Sequence, residues 1–243
     1  MKLLIDIGNT ATKFALYDKE LNFLGRIYNS ELTELTVYEI LINVKQVDKI
    51  YVSSVAPYVA ERIHKIMLTM FNLNPIYVNS KFNSDVDIQI DNKEELGADL
   101  LCDIVAAKHI YGPKTAVIDF GTATKILFID ENGVFNSCAI FLGYMKSKRV
   151  LAGSTELLPE VNNIKVKPIS ECHNTNDVIN SSAYYSQIFT VKGLIKKYED
   201  EVGYKVKTII TGGNSIDFLQ ELGKENYDEL LLMKGLGILS ERN

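Results

Sequence analysis

The chain is poor in the residues that staple or span. Its three cysteines, Cys102, Cys138 and Cys172, are odd in number and far apart, which excludes a disulfide framework and the paired spacing of a structural zinc site. Cys172 and His173 are adjacent, but they would need distant ligands to hold a metal. No apolar run approaches the roughly 20 residues of a membrane span. The apolar opening "MKLLIDIGNT" is broken by Asp6 too early for a signal peptide. A cytoplasmic location is therefore expected, with no membrane partner. Charge of one sign is also lacking: 26 Lys and Arg stand against 31 Asp and Glu, interspersed to a net charge of −5, so nucleic acid is not expected as a partner. No low-complexity segment or long linker appears.

What is present is the mixture of an ordinary globular protein, 47% hydrophobic and 23% charged over 243 residues, enough for one large or two modest domains. "KLLIDIG" reads as a buried strand entering a glycine turn, and "FALYD" and "LNFLGRIYN" as antiparallel strands following it. "ELTVYEILINV" reads as a helix, "KIYVSSVAP" as a strand ended by Pro57, "YVAERIHKIMLTMF" as a helix and "NPIYVN" as a strand. "LGADLLCDIVAAKHIYG" sets Leu100, Leu101, Ile104 and Val105 on one helical stripe and stops at Gly112-Pro113, the expected domain boundary. "KTAVIDFGTATKILFIDENGVF" then restarts the strand–turn–strand order. It is followed by a helical "SAYYSQIFTVKGLIKKYEDEVG", a strand and turn in "KTIITGGN" and a closing helical "YDELLLMKGLGILSERN". These alternations predict an α/β protein with domains 1–112 and 113–243, the last helix being free to pack back on the first domain.

One motif occurs twice. "IDIGNTATK" spans Ile5 to Lys13 and "IDFGTATK" spans Ile118 to Lys125, with Asn9 as the extra residue. Asp, Gly and Thr coincide at Asp6/Asp119, Gly8/Gly121 and Thr10/Thr122. A strand ending in Asp-x-Gly before small hydroxyl residues can hold phosphate and its metal. Glycine lets backbone N–H groups approach phosphate oxygens, threonine adds donors, and the aspartate faces Mg²⁺ directly or through water. Lys13 adds a point charge. One such turn could be a plain hairpin, since Asp and Gly favour turns for local reasons; two copies leading matching strands argue for related halves.

This arrangement resembles the actin-like ATPase superfamily that includes the sugar kinases, in which two RNase H-like domains with mixed sheets and flanking helices face each other across an ATP cleft. Gly212 and Gly213, after "TIIT", resemble its adenosine-binding turn. Within it the chain is most similar to type III pantothenate kinases, through Asp6, Gly8, Asn9, Thr10 and Lys13; Ser53, Ser54, Val55 and Pro57; Gly97, Ala98 and Asp99; Asp119, Gly121, Thr122 and Ala123; and Asn174-Thr175. The resemblance implies transfer of the γ-phosphate of ATP to pantothenate, the first step of coenzyme A synthesis, in a homodimer. Asp6 and Asp119 would manage cations, Mg²⁺ and a monovalent potassium or ammonium ion at Asp119. Thr10, Lys13 and Thr122 would hold phosphates with Gly8, Asn9, Gly121, Gly212 and Gly213. Asp99 would be the general base, and Gly97, Ala98, Leu100 and Thr175 would line the pantothenate site, Thr175 across the dimer interface. On residue type alone, Asp99 reads rather as a helix N-cap or first-turn acid, and the resemblance reverses that reading.

The acceptor side departs from the family pattern. Leu100 replaces an arginine, a planar fork that leucine cannot imitate; Ile90 replaces a tyrosine and Lys93 a common proline. Lys125 and Leu127 follow the second turn where the family continues differently, and Lys125 is a candidate substitute for a missing positive charge. The alternative expectation is a nucleotide-binding homologue with an altered acceptor or lost catalysis, acting as a regulator.

Overall fold

The computed structural model describes residues 1–162 and 165–243. Its elements run β1 (Lys2–Ile7), β2 (Ala11–Asp18), β3 (Glu20–Tyr28), α1 (Glu34–Leu41), β4 (Lys49–Ser54), α2 (Pro57–Phe71), β5 (Ile76–Tyr77), α3 (Ala98–Ala106), β6 (Thr115–Phe120), β7 (Ala123–Ile129), β8 (Phe135–Leu142), α4 (Tyr144–Gly153), α5 (Thr175–Val202), β9 (Lys207–Thr211), α6 (Leu219–Leu222) and α7 (Leu231–Arg242). The chain forms two compact units. One comprises Met1–Pro113, Ile129–Asn136 and Leu230–Asn243, the other Lys114–Phe128 and Ser137–Glu229.

The first unit holds a five-stranded sheet in the order β3-β2-β1-β4-β5. β1 pairs antiparallel with β2 and parallel with β4, so the sheet is mixed. Strand side chains alternate between faces: Leu3, Ile5 and Ile7 of β1 enter a core with Val37, Leu41, Ile63 and Met67 of α1 and α2. Leu4 and Asp6 fall on the opposite face, the one that α3 and α7 pack against. Gly235 of α7 lies so close to α3 that a Cβ there would collide with the carbonyl of Cys102. α3 runs on through a π-helical turn at Ala107–Tyr111 and stops at Gly112, whose φ of 85° ends it.

The second unit holds a four-stranded sheet in the order β8-β7-β6-β9. Ala116, Ile118 and Phe120 of β6 pack with Ile126 and Phe128 of β7 against Tyr184, Ile188 and Val191 of α5. Asp119 and Lys125 belong to the other face.

Most of the expected elements form. α1 is shorter than its apolar pattern; it opens on a capping box between Thr33 and Thr36 and stops at Leu41. α5 starts earlier, at Thr175, because Asn174 caps it by accepting from the backbone N–H of Asp177. α4 was not anticipated, since "YMKSKRVLAG" shows no apolar stripe; its buried residues are Tyr144 and Lys148. The Lys148 stem is fully covered while its ammonium bonds Asn180 Oδ1 at 3.0 Å and lies 4.2 Å from the Tyr144 ring centroid. A lysine thus fills a core position that a hydropathy pattern reads as surface. Among the described residues, no helix is long and apolar enough to cross a membrane.

Candidate active site

In the first unit, the hairpin from β1 to β2 places Asp6 opposite Lys13 in the antiparallel register and beside Ser53 in the parallel one. Asp6 and Ser53 are buried. Asn9 and Thr10 stand exposed at the tip, and Gly8 N–H donates to the Ala11 carbonyl at 3.0 Å. Asn29, just past β3, clamps this tip. Its backbone N–H donates to the Thr10 carbonyl at 2.9 Å, and its side-chain amide donates to the Gly8 carbonyl at 2.8 Å. Its Oδ1 accepts from the buried Thr12 hydroxyl at 2.9 Å. The second threonine of the motif is therefore an anchor, while the first faces outward. No ion pair joins Lys13 to Asp6 among the described residues.

α3 brings the expected base to the same face. Gly97 is its N-cap and Asp99 lies in its first turn, folded back so that Oδ1 accepts from the Leu100 N–H at 2.8 Å. A side chain at Gly97 would crowd that carboxylate, which gives this glycine a local reason. Leu100 is half-buried and its side chain offers no donor. One turn on, Asp103 is a second, fully buried carboxylate. Cys102 senses the whole group: burial pushes its thiol well above the ordinary range, the carboxylates of Asp6, Asp103 and Asp99 push the same way, and the Ser53 hydroxyl opposes them. Asp6, Ser53, Asp99, Cys102 and Asp103 thus share one electrostatic neighbourhood.

In the second unit the hairpin from β6 to β7 repeats the construction with different parts. Gly121 N–H donates to the Ala123 carbonyl at 3.1 Å, and the side-chain amide of Asn214 donates to the Gly121 carbonyl at 3.1 Å. The buried Thr124 hydroxyl donates to Gln187 Oε1 at 2.6 Å, and Gln187 donates in turn to the Leu142 carbonyl at 2.9 Å. Gly143 N–H holds the Thr122 carbonyl at 3.1 Å. Thr122 is exposed, as Thr10 is. Asp119 differs from Asp6: Lys125 Nζ sits 2.7 Å from its Oδ2, both side chains being about seven-eighths covered (13% and 14% exposed). On its other side runs the Gly212 turn, with φ of 98°, where any Cβ would collide with Asp119 Oδ1 and the Phe120 backbone. Gly213 is exposed beyond it.

Thr175 lies elsewhere in the second unit. It opens α5 and lines a surface cavity of about 540 Å³ with Leu151, Leu158, His173, Val178 and Ser182, none of them a hairpin residue. Sequence reasoning missed Asn29, Asp103, Gln187 and Asn214. Asp103 alone left a trace, four residues after Asp99 on one helical stripe; the three carboxamides are distant in sequence from the loops they hold.

Among the described residues no three His, Cys, Asp or Glu side chains form a metal cage. Mg²⁺ does not need one, since it keeps several waters and takes one or two carboxylates with substrate phosphates. Asp6, a strand-end carboxylate beside an exposed glycine turn, fits that requirement.

The family model for type III pantothenate kinase matches residues 2–197. A type III pantothenate kinase of Syntrophobacter fumaroxidans is 32% identical over 254 residues, covering 100% of this chain and 98% of that protein. Among solved structures, a conserved putative Baf family transcriptional activator from Campylobacter jejuni aligns with a TM-score of 0.60 at 21% identity, over 98% of each chain. The activator of 2-hydroxyisocaproyl-CoA dehydratase from Clostridium difficile, solved with ADPNP bound, aligns at 0.54 and 14% identity over 99% of this chain and 95% of that one. At such identities the structures establish the fold alone, shared over almost the whole length of each chain. The family model and the full-length relative reach further, and with the doubled Asp-x-Gly hairpin they establish that this chain belongs to the type III pantothenate kinase family.

Proposed function

We propose that the protein transfers the γ-phosphate of ATP to the primary hydroxyl of pantothenate, the first step of coenzyme A synthesis. The observation that carries this reading is the pair of hairpins, each with a glycine turn anchored by buried side-chain hydrogen bonds and an exposed threonine, Thr10 or Thr122, at its tip. Phosphoryl transfer asks little covalent chemistry of a protein; positioning and charge neutralisation dominate. In this reading the N–H group of Asn9 and the hydroxyls of Thr10 and Thr122 hold phosphate oxygens, Gly8 and Gly121 leave room for the phosphates to approach the turns, and Lys13 acts as a point charge. Gly212 and Gly213 lie against the nucleoside. Mg²⁺, when bound at Asp6, supplies positive charge to the phosphates. Asp99 accepts the proton of the attacking hydroxyl as its oxygen bonds to phosphorus and the bridging oxygen departs with ADP. Gly97, Ala98, Leu100 and Thr175 contact pantothenate.

The proposal includes a homodimer. Val178 and Phe189 on α5 leave 46% and 67% of their surfaces exposed, an apolar stripe consistent with a partner that would bring Thr175 to the acceptor. It also includes a cytoplasmic location, in keeping with three unpaired cysteines. The test is ADP release by the purified protein. Release that requires pantothenate supports the reading, and turnover that pantothenate does not accelerate rejects it in favour of a nucleotide-binding regulator.

A further inference from the structure

The family resemblance implies a potassium or ammonium ion at Asp119, and the residues present do not fit one. The carboxylate already holds a cation that belongs to the chain, the Lys125 ammonium at 2.7 Å from Oδ2. Its Oδ1 is closed in by the Gly212 turn, where not even a methyl group fits, and the Gly121 backbone flanks it. β7 carries Lys125 on the face opposite its core residues Ile126 and Phe128, so the stem cannot swing into the apolar side of the sheet. An ammonium and a bound monovalent cation of similar size would compete for one carboxylate, and the tethered one is present at every salt concentration.

We propose that Lys125 is a built-in monovalent cation, replacing the dissociable ion and fixing one positive charge beside the phosphate-facing turn at Gly121-Thr122. This rests on the phosphoryl-transfer reading above for its role in catalysis, but not for its effect on ion binding. Lysine suits the place because its ammonium is a compact point charge on a flexible stem; the planar guanidinium of arginine does not reproduce it.

The experiment compares the full-length wild type with Lys125→Ala and Lys125→Met in choline chloride, KCl and NH₄Cl at equal ionic strength. Two quantities are read: pantothenate-dependent ADP release, and the thermal midpoint without and with a non-hydrolysable ATP analogue. The wild type should show the same rate and the same midpoint in all three salts. Lys125→Ala should be slower in choline by about ten- to hundredfold, the loss expected for one charge-assisted contact. NH₄⁺ or K⁺ should restore part of that rate and raise the midpoint of this variant alone, because a ligand that binds only the native state stabilises it by mass action. Lys125→Met, which keeps the stem and fills the space, should stay slow in every salt. A wild type whose rate or midpoint rises with K⁺ or NH₄⁺ would overturn the proposal, as would a Lys125→Ala protein indifferent to both ions. If no protein turns over pantothenate in any salt, the acceptor reading fails while the midpoints still decide whether Lys125 occupies the ion's position.

Discussion

The two hairpins carry nearly the same words and use them differently. Both bury the second threonine of the motif against a carboxamide, Thr12 on Asn29 and Thr124 on Gln187, and both have an asparagine amide on the loop glycine's carbonyl. They part at the aspartate. Asp6 lies across the strand pair from Lys13 and shares its neighbourhood with two further carboxylates of α3, whereas Asp119 is neutralised by Lys125 at 2.7 Å. A shared backbone device thus serves two electrostatic tasks: the first hairpin gathers negative charge suited to a divalent ion and a proton acceptor, and the second carries its own counter-charge.

Substituting Asp99 breaks this comparison most severely. Asp99→Asn should lower the ADP-release rate by about 10²- to 10⁴-fold, the usual range for removing a general base, while the midpoint shift with the ATP analogue is retained. Loss of that shift together with the rate would make Asp99 a structural acid of α3 instead.

The two lysines should separate rate from stability. Lys13→Met removes a side chain that forms no ion pair among the described residues, so nucleotide affinity should fall with the unliganded midpoint unchanged. Lys125→Met leaves a mostly covered carboxylate without its partner and should also cost about 1–3 kcal/mol. At roughly 2–4 °C per kcal/mol for a chain of this size, calorimetry would resolve that difference. Equal midpoints for the two variants would remove the distinction between the hairpins.

The anchors should behave alike. Thr12→Val and Thr124→Val each keep the shape of the side chain and delete one buried hydrogen bond, leaving the Asn29 or Gln187 acceptor unpaired at a cost of about 1–2 kcal/mol. Thermal midpoints lowered by similar amounts, with weakened nucleotide binding in both, would support the common construction; a silent Thr124→Val would sink it.

The smallest effect concerns the start of α5, near Thr175. Lys167 donates to Asp177 and holds its carboxyl below the usual carboxylate range, the charge of Lys167, the Asn174 amide and His173 acting in the same direction against partial desolvation. A depressed folded pKa stabilises the native state above the unfolded carboxylate pKa, and that contribution is lost as pH falls through the folded value. Midpoints measured from neutral pH into the acid range should therefore decline more steeply in wild type than in Asp177→Asn.

Much of the first unit was legible because its signals are local. The apolar alternation of "KLLIDIG", the proline that opens α2 and the Gly112 stop each act over a few residues, and β1, α2 and α3 form there. The doubled Asp-x-Gly turn, with threonine after it, was legible for the same reason. α4 was not, because its inward residue is a lysine whose cover depends on Asn180, more than thirty positions away. Cavity-lining Thr175 was found by its motif alone, and nothing local relates it to the glycine turns.

The sequence by itself determined the strands that lead into and out of the two glycine turns and the turns themselves, since backbone geometry is a property of short segments; β8 left no comparable local signal. Only the tertiary structure decided what each aspartate faces. Lys13 and Lys125 occupy matching places in the motif, yet whether such an ammonium stays apart or closes on its carboxylate depends on the surroundings. Gly212, in the turn after β9 and far along the chain from Asp119, packs against that carboxylate, and α3 brings Asp99 and Asp103 into the neighbourhood of Asp6. Charge pairing is settled by distance and burial in space, and a linear sequence specifies neither.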